Sequence, residues 1–510
     1  MRRVITAQQM RDAEQRVFDA EPDVDLMGRA ARAVAKLTER IAPAGPVLVA
    51  VGPGNNGGDG LFAAAQLADH RPVSVWLAMG KGHEAGLAAA KGAGCHLVDA
   101  VGAAAALADA ALVIDAVTGL GSRPGLPQTT ATFTEACEAA AVPVLSVDLP
   151  SGLDADSGAL HPSFTAAHTI TFAALKACHV QEPAATRCGE VHVVDIGVSL
   201  DTPRSSLTRH SGPEGDTPRS SLTKHSGPEG GGAPGPEWFA RNERTVSRDE
   251  VRQAEESDIA RWWPVPDATS DKYSRGVVML DTGSEHYQGA ALLSVAGALN
   301  SGAGMVRYTG RVHSGLMVGR FPSIVIGEGR AQAMVLGSGW GDTDGAEGRV
   351  ANARLHGLPA VVDADALYSL PQGRLDGWLL TPHAGELARM LGCSRSHVEH
   401  QPLSCAREVA RTTGASVLLK GATQYVAEPS GRVTIAVPGP NWTAQAGSGD
   451  VLAGICGTLL AAGLPAWQAG VVGASIQAMT AARNPGPFPP DVLAAKLPEV
   501  IAGLTAGGAL

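Results

Sequence analysis

The stretch PVLVAVGPGNNGGDGLFAAA (residues 46–65) decides the fold of the first half of the chain. A short apolar run gives way to a glycine turn and then to an alanine-rich segment, the change of period expected where a buried strand feeds a helix. Gly52, Gly54 and Gly57 spell GxGxxG at that junction, which ordinarily suggests a dinucleotide fold with a pyrophosphate resting on the helix N-terminus. Two features count against that reading. No acidic residue ends the next strand, VSVWLAMG (73–80), where a ribose hydroxyl would be held, and Asp59 falls in the first helical turn, where it would repel a pyrophosphate. As a plainer alternative, Asp59 caps the helix and complements its dipole.

The pattern continues outward. ALVIDAV (111–117) and VPVLSVDLP (142–150) read as further strands among Ala-rich helices, the signature of a parallel sheet covered on both faces. GVVMLDTG (276–283), AMVLGSG (333–339), PAVVDADAL (359–367), GWLLTPH (377–383) and SVLLKG (416–421) repeat it later in the chain. The expected fold class is therefore α/β, with two layered α/β domains. A length of 510 residues exceeds one ordinary core and agrees with two. The expected boundary is a duplication, DTPRSSLTRHSGPEG (201–215) followed by DTPRSSLTKHSGPEG (216–230). Its Pro, Gly and Ser content marks a linker over residues 201–240, between a first domain at 1–200 and a second at 241–510.

A net charge of -10 gives no general attraction to nucleic acid or an anionic membrane, so small molecules are the expected substrates. Seven cysteines without metal-ligand spacing fit a reducing cytoplasm, and the opening MRRVITAQQMRDAEQ is no signal peptide. Residues 451–482 carry no charge and are long enough to cross a bilayer, but Gly463, Pro465 and Gly470 divide them into two shorter helices suited to burial. A homo-oligomer is expected.

Polar residues gather at the strand ends of the first half. Asn55, Asn56, Asp115 and Ser151 offer hard oxygen ligands, and Asp148 could accept a proton or orient a substrate. GPGNNGGDG, DAVTGLG, VDLPSGLDADSG and TFAALK resemble the motifs of the NAD(P)H-hydrate epimerase family, the YjeF N-terminal domain, over most of residues 1–200. The resemblance implies a Rossmann-like domain that interconverts the R and S forms of hydrated NADH or NADPH with a potassium ion. It implies Asn56, Asp115 and Ser151 as potassium ligands. Substrate contacts carried over by motif are Asn55, Asn56, Gly57, Gly58, Asp59, the loop Gly119, Leu120, Gly121, Ser122, Arg123, Pro124 and Gly125, and the catalytic Asp148. Leu120 stands where the family more often has Thr, and Lys176 matches a family lysine of open role.

In the second half, AQAGSGDVLAG (444–454) follows a strand pattern and opens an apolar helix. The amides of Gly447, Ser448 and Gly449 can cradle a phosphoryl group while Asp450 takes a proton from a neighbouring hydroxyl. LLKGATQYV (418–426) sets Lys420 at a turn suited to nucleotide phosphates. His383 and Glu386 read equally as helix-start residues, and Asp363 and Asp365 equally as strand-end caps. Together with SEHYQGAALL, SGAGMVR, LGSGWG and TPHAGE, these stretches resemble the ribokinase-like superfamily, most closely its NAD(P)H-hydrate dehydratase branch.

That resemblance implies Ala290, Gly339, His383 and the catalytic Asp450 at the hydrate site. It implies Lys420, Gly421, Ala422, Thr423, Gln424 and Gly449 around an adenine nucleotide, with ADP as phosphoryl donor and Mg2+ assisting. The whole then reads as an enzyme that epimerises the damaged cofactor and dehydrates its S form. The alternative is a ribokinase-like kinase for a vitamin precursor or sugar, fused to a ligand-binding domain without catalysis.

Overall fold

The computed structural model describes residues 1–42, 44–200, 250–341 and 345–506, so the expected linker at 201–240 lies outside the described residues. Two sheets form, as the alternation of strands and helices predicts. The first has seven strands in the order His96–Val98, Val73–Leu77, Val47–Val51, Leu112–Ala116, Val144–Val147, His168–Phe172 and Glu190–Val194. All its neighbours are parallel. Val47–Val51 and Leu112–Ala116 are buried at every position, which is why their sequences are continuously apolar instead of alternating. The strand order reverses between these two strands, opening a crevice beyond their carboxyl ends.

The second sheet has eleven strands. Its centre is parallel, running Ser416–Leu419, Leu379–Leu380, Ala360–Val362, Ala333–Leu336, Val277–Asp281, Met305–Tyr308 and Val325–Ile326. Tyr425–Ala427 and Val433–Ile435 extend one side antiparallel, and Val251–Gln253 follows them. The outermost strand on that side is Arg2–Val4, from the opposite end of the chain, paired antiparallel with Val251–Gln253. Ile5 N–H donates to Leu175 O at 2.9 Å and Leu175 N–H to Arg3 O at 3.1 Å, so the same segment is tied to the first sheet's unit as well. Leu175 and Val180 are buried in one cluster with Tyr425, Val433 and Ile435, and apolar packing therefore runs continuously between the two units.

The uncharged run resolves into the helices Ser448–Ala461 and Ala466–Arg483, parted by Gly463 at φ +95° and by Pro465. Among the described residues no helix is long and apolar enough to cross a membrane. Ser448–Ala461 packs against Gln288–Asn300 through glycines: a Cβ on Gly454 would collide with the Ser294 carbonyl oxygen, and one on Gly297 with the Val451 carbonyl oxygen. Small residues here let two backbones touch, and that contact fixes the start of the helix that carries Asp450.

Gly454→Ala tests this contact. Alanine is the better helix former by about 1 kcal/mol, yet a methyl forced into a backbone carbonyl cannot escape by changing rotamer, and overpacking costs about 1–3 kcal/mol. The expected outcome is a lower midpoint of thermal unfolding; a raised midpoint would contradict the close approach.

Candidate functional site

At the crevice of the first sheet lies a cavity of about 1410 Å³ counted to its mouth, walled by Asn55, Asn56, Asp59, Gly119, Leu120 and Asp148 among others. Beneath it Asp115 is wholly buried. Its Oδ2 accepts from Ser151 N–H and from Ser146 Oγ, each at 2.8 Å, and its Oδ1 from Val117 N–H at 3.3 Å. Burial pushes the Asp115 carboxyl up to about 6, opposed by these hydrogen bonds. Ser151 Oγ accepts from Thr118 N–H at 2.8 Å and donates to Thr118 O at 3.1 Å, the same carbonyl that accepts from Asn56 Nδ2 at 3.1 Å. Asn56 Oδ1 is buried with no hydrogen-bond partner in the described structure. An orphaned amide oxygen beside a backbone carbonyl and a hydroxyl is a donor set that fits a hard monovalent cation. Of the three ligands expected from sequence, Asn56 and Ser151 face this cluster directly, and Asp115 anchors Ser151 from below.

Asp148 ends its strand with φ at +65°, a conformation non-glycine residues adopt at a cost and which often marks a working site. Its Oδ1 accepts from Lys176 Nζ at 2.9 Å and from Thr171 Oγ1 at 3.0 Å. Lys176 is completely buried, and its ammonium also reaches Thr171 Oγ1 at 2.8 Å and Phe172 O at 3.2 Å. Asp59, half-buried on the same cavity, is pushed up to about 8, first by burial and then by the negative charges of Asp148 and Glu14. The helix-cap account of Asp59 therefore misses most of its environment. Glu14, on the helix Ala7–Ala20, was not singled out from sequence. It lines the cavity and is itself raised by burial and by Asp148, against Lys176 and Arg11. Its one signal was spacing: Glu14 lies four residues after the buried Met10 on one helix face.

The glycines divide by role. Gly57 and Gly58 are buried and off the cavity wall; a Cβ on Gly57 would strike the Gly52 carbonyl oxygen, so it lets the helix lie close on its strand. Leu120, Ser122, Arg123 and Gly125 are on the wall, while Gly121 and Pro124 of the same loop are not among the lining residues.

The second site gathers at the carboxyl ends of the second sheet. Gly447, at φ +95°, turns the chain into the helix Ser448–Ala461 and leaves Asp450 in its first turn. Lys420 Nζ lies 2.6 Å from Asp363 Oδ1 and 3.9 Å from Glu386 Oε2. A Cβ on Gly449 would sit 3.5 Å from that ammonium, which puts Lys420 beside the glycine turn. Asp363 is buried and also accepts from Ser338 Oγ and Thr381 Oγ1, each at 2.8 Å. Burial disfavours the Lys420 charge, but Asp363, Glu386 and Asp450 outweigh it and raise its proton affinity. Asp450 is pushed up to about 7 by burial and by Asp363, against the pull of Lys420.

The structure separates pairs that sequence left even. Asp363 holds the lysine, whereas Asp365 accepts from Gly341 N–H at 2.7 Å and serves a turn. His383 Nδ1 accepts from Gly385 N–H at 3.0 Å and Glu386 N–H at 3.1 Å, so it caps the helix Ala384–Leu391. With Nδ1 accepting, the ring proton sits on Nε2 of this exposed side chain, 3.6 Å from Glu386 Oε1. Glu386 returns the cap to His383 N–H at 2.7 Å while facing Lys420. Gly339 abuts Ala290, bringing those two expected residues together. Gly421, Ala422, Thr423 and Gln424 line a separate cleft, and Gly449 does not line it.

His168, Glu190 and His192 form a further cluster on the edge of the first sheet. Arg40 Nη2 lies 3.3 Å from His192 Nδ1; a guanidinium only donates, so Nδ1 accepts and Nε2 keeps the proton that a metal would need removed.

With this geometry in place, comparison with known proteins is direct. Residues 23–178 match the model of the YjeF-related protein N-terminus and residues 278–501 that of NAD(P)H-hydrate dehydratase. A Mycobacterium tuberculosis protein described as a bifunctional NAD(P)H-hydrate repair enzyme is 35% identical over 491 residues, covering 92% of this chain and 91% of its own. Its Mycobacterium leprae counterpart is 35% identical over 512 residues and 96% of each chain. A solved ADP/ATP-dependent NAD(P)H-hydrate dehydratase from Bacillus subtilis is 25% identical over 50% of this chain and 99% of its own, with a TM-score of 0.47.

The buried Lys176–Asp148 pair gives a prediction on stability. Lys176→Met strands a buried carboxylate and should cost about 3–5 kcal/mol, lowering the urea midpoint of the first unit. Lys176→Met with Asp148→Asn should recover most of that loss, since the uncompensated charge is then gone; equal losses in the single and double variants would contradict the pairing.

Proposed function

The chain belongs to the bifunctional NAD(P)H-hydrate repair enzyme family, and from that premise we propose that its first unit epimerises hydrated NADH and NADPH while its second dehydrates the S form at the expense of ADP. The reading rests above all on Asp450: a carboxyl poised near neutrality in the first turn of a glycine-led helix, with an ammonium beside it.

Water added across the ring's double bond leaves a hydroxyl on the carbon next to nitrogen. In the second unit Asp450 takes that hydroxyl's proton, and the oxygen attacks the terminal phosphorus of ADP, releasing AMP. Raised to about 7, the Asp450 carboxyl is more basic than an ordinary aspartate yet still gives up its own proton near neutral pH. The amides of Gly447–Gly449, the positive helix end and Lys420 offset charge on the transferring group. The phosphate ester then expels phosphate as a proton leaves the adjacent carbon, restoring the double bond. Magnesium, when bound with the ADP phosphates, supplies further charge neutralisation.

In the first unit, loss of the protonated hydroxyl gives an iminium that water re-enters from either face. Asp59, raised to about 8, keeps its proton at neutral pH and can give it to the leaving hydroxyl. Asp148, paired with Lys176, accepts a proton from the incoming water. Asn56 and Ser151, braced by Asp115, would hold potassium, which supplies a fixed positive charge near the loops that meet the substrate. One unit thus feeds the other: the epimer that the second cannot use is converted to the one it can. The described cysteines are all free, which supports a reducing cytoplasm as the setting.

Incubating the full chain with mixed hydrate epimers and following reduced-nicotinamide absorbance tests the reading. ADP should drive complete conversion. Asp148→Ala should stop near the S share of the mixture, and Asp450→Asn should slow dehydration by about 10²–10⁴-fold while epimerisation continues. Accumulation of a stable phosphorylated product without absorbance would instead identify a kinase.

A further inference from the structure

The first sheet ends on an edge that gathers two histidines and a glutamate. Glu190–Val194 is its outermost strand and runs parallel to His168–Phe172, with His168 opposite Glu190 and Ile170 opposite His192. Residues two apart on a strand share a face, so Glu190 and His192 stand on the same side. His168 meets them there. Among the described residues these are the one group of three histidine, cysteine or acidic side chains whose ligand atoms all lie within 4.8 Å of one another.

The spacing is closer than that limit. His168 Nδ1 lies 3.2 Å from His192 Nε2 and 3.5 Å from Glu190 Oε2, and His192 Nε2 lies 3.7 Å from Glu190 Oε1. Zinc holds imidazole nitrogen and carboxylate oxygen at about 2.1 Å, and a tetrahedron of that radius has edges of about 3.4 Å. The three separations therefore outline one face of such a tetrahedron, on two hydrogen-bonded strands that fix the positions of its corners.

The protonation pattern leaves one nitrogen ready and one to be released. Arg40 makes His192 Nδ1 an acceptor, so His192 Nε2–H donates to His168 Nδ1 and His168 carries its own proton on Nε2. His168 Nδ1 thus offers its lone pair to an ion as it stands. His192 does so once Arg40, an exposed side chain, swings into solvent: Nε2 gives a proton to water and Nδ1 takes one, with no net change.

We propose that His168, His192 and Glu190 bind a divalent transition-metal ion of the zinc class, with water in the fourth position. Two imidazoles suit zinc better than magnesium or calcium, and the exposed rim at Glu190 admits the water. The site lies at the opposite end of the sheet from the substrate crevice, because His168 and Glu190 open their strands. Its role is structural. The ion clips the edge strand to its neighbour, and Val191 and Val193 of that edge strand pack on the apolar cluster of the second unit.

Calorimetric titration of the full chain with Zn2+, without a histidine tag, tests the site, with thermal unfolding as the second readout. Wild type should bind one Zn2+ more per chain than His168→Ala or His192→Ala, and Zn2+ should raise its unfolding midpoint but not theirs. Unfolding without Zn2+ checks that each variant folds; if a histidine variant does not, Glu190→Gln should show the same loss. Arg40→Ala, which removes a competing cation and frees Nδ1, should bind Zn2+ about tenfold more tightly. Equal stoichiometry and affinity in wild type and the ligand variants would overturn the proposal. So would a wild type that binds no Zn2+, or unchanged or weaker binding in Arg40→Ala.

Discussion

A buried lysine–aspartate pair lying beside a second carboxylate organises both sites. Lys176 with Asp148 does so next to Asp59, and Lys420 with Asp363 does so next to Asp450. In each case one carboxylate has its charge compensated. The other is left partly desolvated within the field of the first, so its proton affinity rises to about 8 in Asp59 and about 7 in Asp450. Burial and the charge of the neighbouring carboxylate together favour the protonated form of the group without an ammonium bonded to it, and this is how a pair of chemically identical groups is made to differ. The lysines also explain why charges are tolerated so deep: an unpaired carboxylate there would cost several kcal/mol, whereas a paired one is compatible with the fold.

The fold supplies the positions. In both units the working side chains stand at the carboxyl ends of parallel strands, where open α/β sheets leave their crevice. Close glycine contacts hold the helices that start there, with Gly57 against Gly52 in the first unit and Gly454 against Ser294 in the second. The units are not independent beads. Arg2–Val4 completes the second sheet, Leu175 and Val180 share its apolar cluster, and Thr423 is latched to the turn that follows Lys176.

Much of this could be read from the residues alone. The strands announce themselves as apolar runs because both faces are covered, and GNNGGDG and GSGD mark strand-to-helix turns because only glycine permits the approach. Local signals gave out where long-range contacts decide. Asp363 and Asp365 are two residues apart and look alike, yet only Asp363 meets Lys420, fifty-seven positions away. Glu14 sits on a helix with an ordinary amphipathic pattern and acquires meaning only when Asp148 and Lys176 are placed opposite it. The Thr118 carbonyl has no side-chain signature, and the short strand Arg2–Val4 gains its partner from Val251–Gln253, across the whole first unit.

Site-resolved carbon-13 NMR titration of the aspartate side chains tests the central claim most directly. Asp450 and Asp59 should titrate near pH 7 and 8, far above an ordinary aspartate at about 3.9. Both carboxyls titrating below pH 5 would contradict the account, because Asp450 would then be no stronger a base than an ordinary aspartate and Asp59 would have no proton to give at neutral pH.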